Sequence, residues 1–217
     1  MAVEAKICGL TRAADAALAA SHGASRLGVI FAGGPRERTP AQAREIVAAA
    51  GGVPVLGVFG AHSVEEILAI AGAARLAGAQ LHGPSSVEVA RRLRAEGLEV
   101  WRVARVPAEG PAMLVTLSEE ADLVLLEPRL AGEPLAAGGR GVAIALPAAR
   151  EARQQLPPMI RVGLAGGLTP ETLVAAIRLV GPDLVDVSSG VEGAPGIKDP
   201  ARLIRFLEIA RDAHPAA

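Results

Sequence analysis

Cysteine is nearly missing from this 217-residue chain: Cys8 stands alone. A lone thiol cannot close an internal disulfide, and without partner cysteines a thiolate metal cluster is not expected. Cys8 is then either a small buried hydrophobe or a reactive thiol. Tyrosine is absent, and three phenylalanines and one tryptophan are the only other aromatics. A core must therefore be assembled from Val, Leu, Ile and Ala. Although 51% of the residues are apolar, no uninterrupted apolar run approaches the roughly 20 residues of a spanning helix. The opening residues lack the basic and apolar regions of a signal peptide. A formal net charge of −1 offers no basic excess, which argues against nucleic acid as the main partner. The expectation is a soluble cytoplasmic protein that binds neither nucleic acid nor membrane. Lysine is scarce too: the only two are Lys6 and Lys198, and both fall inside motif-like segments.

What is present is a regular alternation of two patterns. Short β-branched runs at 5–8, 26–31, 53–59, 79–82, 99–103, 123–126, 160–164 and 184–187 predict strands. They are near-continuous apolar runs, as strands buried on both faces should be. Helical patterns lie between them at 12–21, 40–50, 64–77, 86–96, 146–155, 170–180 and 200–212. Thr39-Pro40, Thr169-Pro170 and Asp199-Pro200 each place a capping oxygen before a proline at the first helical position. Ser63 followed by Glu66 fits a capping box. Eight strands, each followed by a helix or long loop, predict an α/β fold, a (βα)8 TIM barrel formed as a single domain over 1–217. An open doubly wound sheet is the alternative. The fifth unit is the least regular, because 107–117 contains Pro111 and little periodicity.

In such a barrel, working residues sit at the C-terminal strand ends. Those positions hold Cys8, Arg36, Phe59, His82, Arg102 and Glu127, then the turns Ala165-Gly166-Gly167 and Asp186-Val187-Ser188-Ser189-Gly190. The two glycine-bearing turns follow consecutive strands, seven and eight, where barrels form phosphate sites from backbone N–H groups. A phosphorylated small molecule is the expected ligand.

Five separated segments then carry a specific resemblance. Lys6-Ile7-Cys8-Gly9-Leu10-Thr11, Gln80-Leu81-His82-Gly83, Leu164-Ala165-Gly166-Gly167-Leu168, Asp186-Val187-Ser188-Ser189-Gly190-Val191-Glu192 and Pro195-Gly196-Ile197-Lys198-Asp199 are similar, in order, to the signature segments of the phosphoribosylanthranilate isomerase family. Gly33-Gly34-Pro35-Arg36 resembles its Ser-Pro-Arg loop, with Gly34 in the serine position. The resemblance spans essentially the whole chain. It implies a barrel enzyme of tryptophan biosynthesis that isomerises N-(5-phosphoribosyl)anthranilate by an Amadori rearrangement, without cofactor or metal. It further implies Cys8 as general base, an acid after strand six, and Arg36 on the anthranilate carboxylate. Gly166, Gly167, Ser189 and Gly190 would hold phosphate, and Asp186 the sugar hydroxyls. His82 reads equally as a substrate contact or as a packed core histidine.

The chain departs from the family after strand six. Leu125-Leu126-Glu127-Pro128 stands where the family has Leu-Leu-Asp-Ser/Thr, which makes Glu127 the candidate acid. The usual Gly-Gly-Thr/Ser-Gly-Lys-Thr-Phe-Asp-Trp becomes Gly138-Gly139-Arg140-Gly141-Val142-Ala143-Ile144-Ala145-Leu146. Glutamate is one methylene longer, about 1 Å, and misplacement of that size costs on the order of 10²-fold in rate. Three readings follow: an active isomerase using Glu127, a related barrel isomerase acting on another phosphorylated sugar or aminoaldose, or a catalytically weak phosphate-ligand binder. Cys8 and Arg36 favour the first. The sequence leaves monomer or homodimer open.

Overall fold

The computed structural model describes residues 2–83, 87–108, 118–129 and 142–214. Eight strands, β1 (Glu4–Ile7), β2 (Arg26–Ile30), β3 (Val55–Phe59), β4 (Gly78–Leu81), β5 (Glu99–Val106), β6 (Leu123–Pro128), β7 (Arg161–Leu164) and β8 (Leu184–Val187), pair in chain order and close into a barrel. All eight pairings are parallel, and β1 pairs with β8 in register Lys6 to Asp186. Helices α1 (Ala13–Ser21), α2 (Pro40–Ala49), α3 (Val64–Ala74), α4 (Val87–Ala95), α5 (Leu146–Gln155), α6 (Pro170–Val180) and α7 (Pro200–Asp212) surround it. The expected barrel, strand for strand, is present.

Side-chain alternation along each strand sorts the core into two parts. Ile7, Leu27, Val29, Val124, Leu126 and Val185 face the helices and join one large outer cluster. Leu56, Trp101, Leu123, Leu125, Ala165 and Leu184 form a second, smaller cluster inside the barrel. The single tryptophan fills the lumen and satisfies its indole N–H on Glu99 Oε1 at 2.7 Å.

The helix starts follow the capping chemistry. Thr39 and Ser63 each accept from the third helical N–H while Gln42 and Glu66 return the bond. Three departures from the sequence-based expectation exceed small shifts at element ends. Helix α3 stops at Ala74 rather than at 77, because Arg75 turns left-handed at φ 59° and Leu76 N–H bonds back to Ala71. Strand β5 continues to Val106, three residues beyond the expected end, pairing Arg105 with Glu127 of β6. A short hairpin, β9 (Glu192–Ala194) and β10 (Ile197–Lys198), follows β8 and was not expected. The irregular stretch 109–117 and the altered turn Gly138-Gly139-Arg140-Gly141 lie outside the described residues.

Candidate active site

Cys8, Arg36, His82, Glu127, Gly166, Gly167, Asp186, Ser189 and Gly190 all line one cavity at the C-terminal end of the strands. Every residue singled out as a site candidate from its motif is therefore in one place. Two other strand-end residues are not. Phe59 faces outward and stacks on Phe31, with ring centroids 5.2 Å apart. Arg102, expected at the end of β5, lies mid-strand and outward, because β5 is longer than its apolar run. It donates to the Glu119 carbonyl at 3.2 Å.

Cys8 follows β1, its N–H bonded to Val187 of β8 at 2.8 Å. Its thiol is buried, and burial pushes it up, with Lys6 pulling the other way. Lys6, two residues earlier on the same inward face, is fully buried. Its ammonium donates to Asp186 Oδ2 at 3.0 Å and Gln80 Oε1 at 2.9 Å, and lies 5.4 Å from the Trp101 ring centroid. Burial opposes this charge, but Asp186 and Cys8 outweigh it, and Lys6 is held above the ordinary lysine range. Among the described residues, Asp186 Oδ1 has no hydrogen-bond partner.

Across the mouth Glu127 projects from β6. It is ion-paired with Arg105 of β5, and its Oε1 lies 3.6 Å from His82 Nδ1. Arg105 Nη2 donates to His82 Nε2 at 2.7 Å, so Nε2 accepts and the ring hydrogen of a neutral imidazole sits on Nδ1, facing Glu127. Burial lowers the pKa of His82 more than Glu127 raises it, which favours that neutral form. Both sequence readings of His82 therefore meet: it is buried, and it lines the cavity.

Arg36 lies in the loop after β2, where Gly34 adopts φ +91°. A side chain at that position would be strained, which accounts for glycine where the resemblance expects serine. The guanidinium is not idle. Its Nε and Nη2 donate to Glu192 at 2.8 and 2.7 Å, and Lys198 Nζ adds a third bond to the same carboxylate at 2.9 Å. Burial would raise Glu192, but these two cations outweigh it and keep it below the usual carboxylate range.

The two glycine turns interlock. A Cβ on Gly166 would meet Pro128 Cδ at 2.4 Å, and one on Gly167 the Ala143 backbone at 2.6 Å, both at positive φ. No other residue fits that path. The second turn winds into a 3-10 helix, Ser189–Val191, whose start faces the same cavity. A helix start and closely approached backbone form an anion cradle.

Lys6, Gln80, Arg105, Glu192 and Lys198 were not singled out as site residues. Lys6, Gln80, Glu192 and Lys198 lay inside the quoted motifs, Lys6 and Lys198 marked also by scarcity, and Arg105 was lost with the end of β5. Its signal was the inward alternation Trp101, Val103, Arg105.

Compared with known proteins, residues 5–209 match the family described as N-(5'phosphoribosyl)anthranilate (PRA) isomerase. A relative from Cereibacter sphaeroides, named N-(5'-phosphoribosyl)anthranilate isomerase, is 39% identical over 213 residues, covering 96% of this chain and 99% of its own. The crystal structure of phosphoribosyl anthranilate isomerase from Thermus thermophilus superposes with a TM-score of 0.82 at 34% identity, covering 95% of this chain and 97% of that one. Another phosphoribosyl anthranilate isomerase structure holds reduced 1-(o-carboxyphenylamino)-1-deoxyribulose 5-phosphate. It superposes with a TM-score of 0.75 at 28% identity, covering 96% of this chain and 98% of that one.

Proposed function

The chain belongs to the N-(5'-phosphoribosyl)anthranilate isomerase family, and we propose that it performs the family's Amadori rearrangement with Cys8 as general base and Glu127 as general acid. The observation that carries this assignment is the placement of a thiol from the end of β1 and a carboxyl group from β6 in one cavity, beside paired glycine turns. The phosphate of the substrate sits on the backbone of Gly166–Gly167 and Ser189–Gly190, which fixes the sugar. Asp186 faces its hydroxyls. Arg36 takes the anthranilate carboxylate, its guanidinium held in position by Glu192.

The chemistry then needs two proton transfers. Glu127 gives a proton to the ring oxygen as the C1′–O bond breaks, and the anthranilate nitrogen supplies electrons to form a C=N bond. The Cys8 thiolate removes the C2′ proton, the C–H electrons form C1′=C2′ as the C=N π pair returns to nitrogen, and the resulting enolamine tautomerises to the ketone. Donation requires the neutral carboxylic acid, so turnover requires the substrate to draw Glu127 away from Arg105. A working thiol suits a reducing compartment, the cytoplasm. Among the described residues, no helix is long and apolar enough to cross a membrane.

The test is complementation of a tryptophan auxotroph lacking this isomerase, paired with turnover of phosphoribosylanthranilate by purified protein. The wild-type chain is expected to restore growth and Cys8→Ala to abolish it. Growth supported by Cys8→Ala, or none with wild type, refutes the assignment.

A further inference from the structure

Lys6 is a buried cation that the acid–base scheme above does not use. It lies on β1 in the layer below the mouth, two residues before Cys8, and its side chain is shut off from solvent. A charge so placed persists only with strong partners. Asp186 Oδ2 at 3.0 Å and Gln80 Oε1 at 2.9 Å provide them from the strands on either side of the lumen.

Gly28 of β2 reveals where the rest of the ammonium faces. A Cβ built on Gly28 would lie 2.9 Å from the Cys8 sulfur, 3.0 Å from Lys6 Cε and 3.1 Å from Lys6 Nζ. The sulfur and the ammonium close over the same small gap, which only glycine leaves open. We propose that Lys6 is the positioning residue of the base, its charge fixed beneath the thiol by Asp186 and Gln80 so that it stabilises the thiolate that takes the substrate proton. This role rests on Cys8 being the base.

The other charged groups near the sulfur do not replace it. Asp186 opposes the thiolate, but less strongly than Lys6 favours it. Lys198 and Arg36, on the hairpin side, favour the thiolate but are both bonded to Glu192. Glu127 and His82 stand across the mouth with Arg105. Lys6 is the cation that shares the Gly28 gap with the sulfur.

Because Cys8 is the only cysteine, its ionisation can be followed without ambiguity. Turnover and iodoacetamide alkylation are measured from about pH 6 to about pH 10 in wild type, Lys6→Met, Gly28→Ala and Cys8→Ala. In Lys6→Met both rates are expected to fall about tenfold or more near neutrality, with the alkaline limb of both profiles moved up by about one unit or more. Gly28→Ala keeps every charge and wedges a methyl group between sulfur and ammonium. It is expected to move the same limb the same way, by less. A uniform loss of turnover at all pH values, with the alkylation limb unmoved in both variants, overturns the proposal and leaves Lys6 only a prop for Asp186. Turnover surviving in Cys8→Ala overturns the assignment of the base itself, and the role of Lys6 with it, a failure visible without altering Lys6.

Discussion

The carboxyl group at position 127 reaches Arg105 on the neighbouring strand and faces His82 from the side. An acid held this way is fixed in direction, and only its protonation and release remain for turnover. Glu127→Gln keeps the shape and removes the acidic proton. Its kcat is expected to fall about 10²–10⁴-fold with little change in KM, because phosphate and carboxylate contacts lie elsewhere in the mouth. Steady-state kinetics on phosphoribosylanthranilate decide it, and near wild-type kcat would pass the acid role to another group, such as Asp186, whose carboxyl lines the same cavity. Glu127→Asp keeps the chemistry and loses about 1 Å of reach, so its rate is expected to fall on the order of 10²-fold, and an unchanged rate would show that the loop accommodates the shorter acid. The substitution was legible in the sequence as a departure from the family pattern. Its partner Arg105 was not, because a charged residue at the end of an apolar run looks like the start of a loop. Only the pairing of β5 with β6 shows that the strand carries it inward.

Elements set the phosphate site more tightly than single residues do. The turn after β8 runs so close to the one after β7 that a Cβ on Gly190 would lie 1.8 Å from the Leu168 carbonyl oxygen. No rotamer relieves a clash with backbone, so Gly190→Ala must push the two turns apart. The expected results are a loss of about 1–3 kcal/mol in stability and a KM for substrate at least about tenfold higher, with weaker inhibition by inorganic phosphate. Thermal unfolding and phosphate titration measure both, and an unchanged KM would show that these turns do not hold the phosphate. The paired glycines were readable as part of the candidate site, and support the proposed anion cradle, because turns after strands seven and eight meet at the mouth of a barrel. The hairpin that follows was not readable: strands of three and two residues carry no period, although they deliver Glu192 to Arg36 and Lys198 to Glu192.

At the scale of the whole molecule, the barrel separates two kinds of charge. The mouth buries Lys6, Asp186, Glu127 and Lys198 among one another. The opposite end carries Arg26–Glu99 at 2.9 Å and Arg161–Glu4 at 2.7 Å, ion pairs that bridge strands near their starts. Parallel closure in chain order makes this separation unavoidable, since every strand presents its C-terminal end to the same side. That is also why eight apolar runs pointed to the barrel over an open sheet and to most of the residues that line its mouth, Phe59 and Arg102 excepted. Asp122, just before β6, lies at that far end, where its carboxylate accepts from the Val100 N–H at 2.8 Å. The separation has a direct consequence. Glu4 and Arg161 are each more than a third exposed, so solvent screens their pair and its removal costs at most about 1 kcal/mol. For a chain of this length that is a fall of about 2–4 °C in Tm. Glu4→Gln is therefore expected to lower Tm by no more than this and to leave kcat and KM unchanged. A change in kcat comparable to that of a mouth variant would mean that the two ends are mechanically coupled through the lumen, where Trp101 and Lys6 would be the residues to probe next.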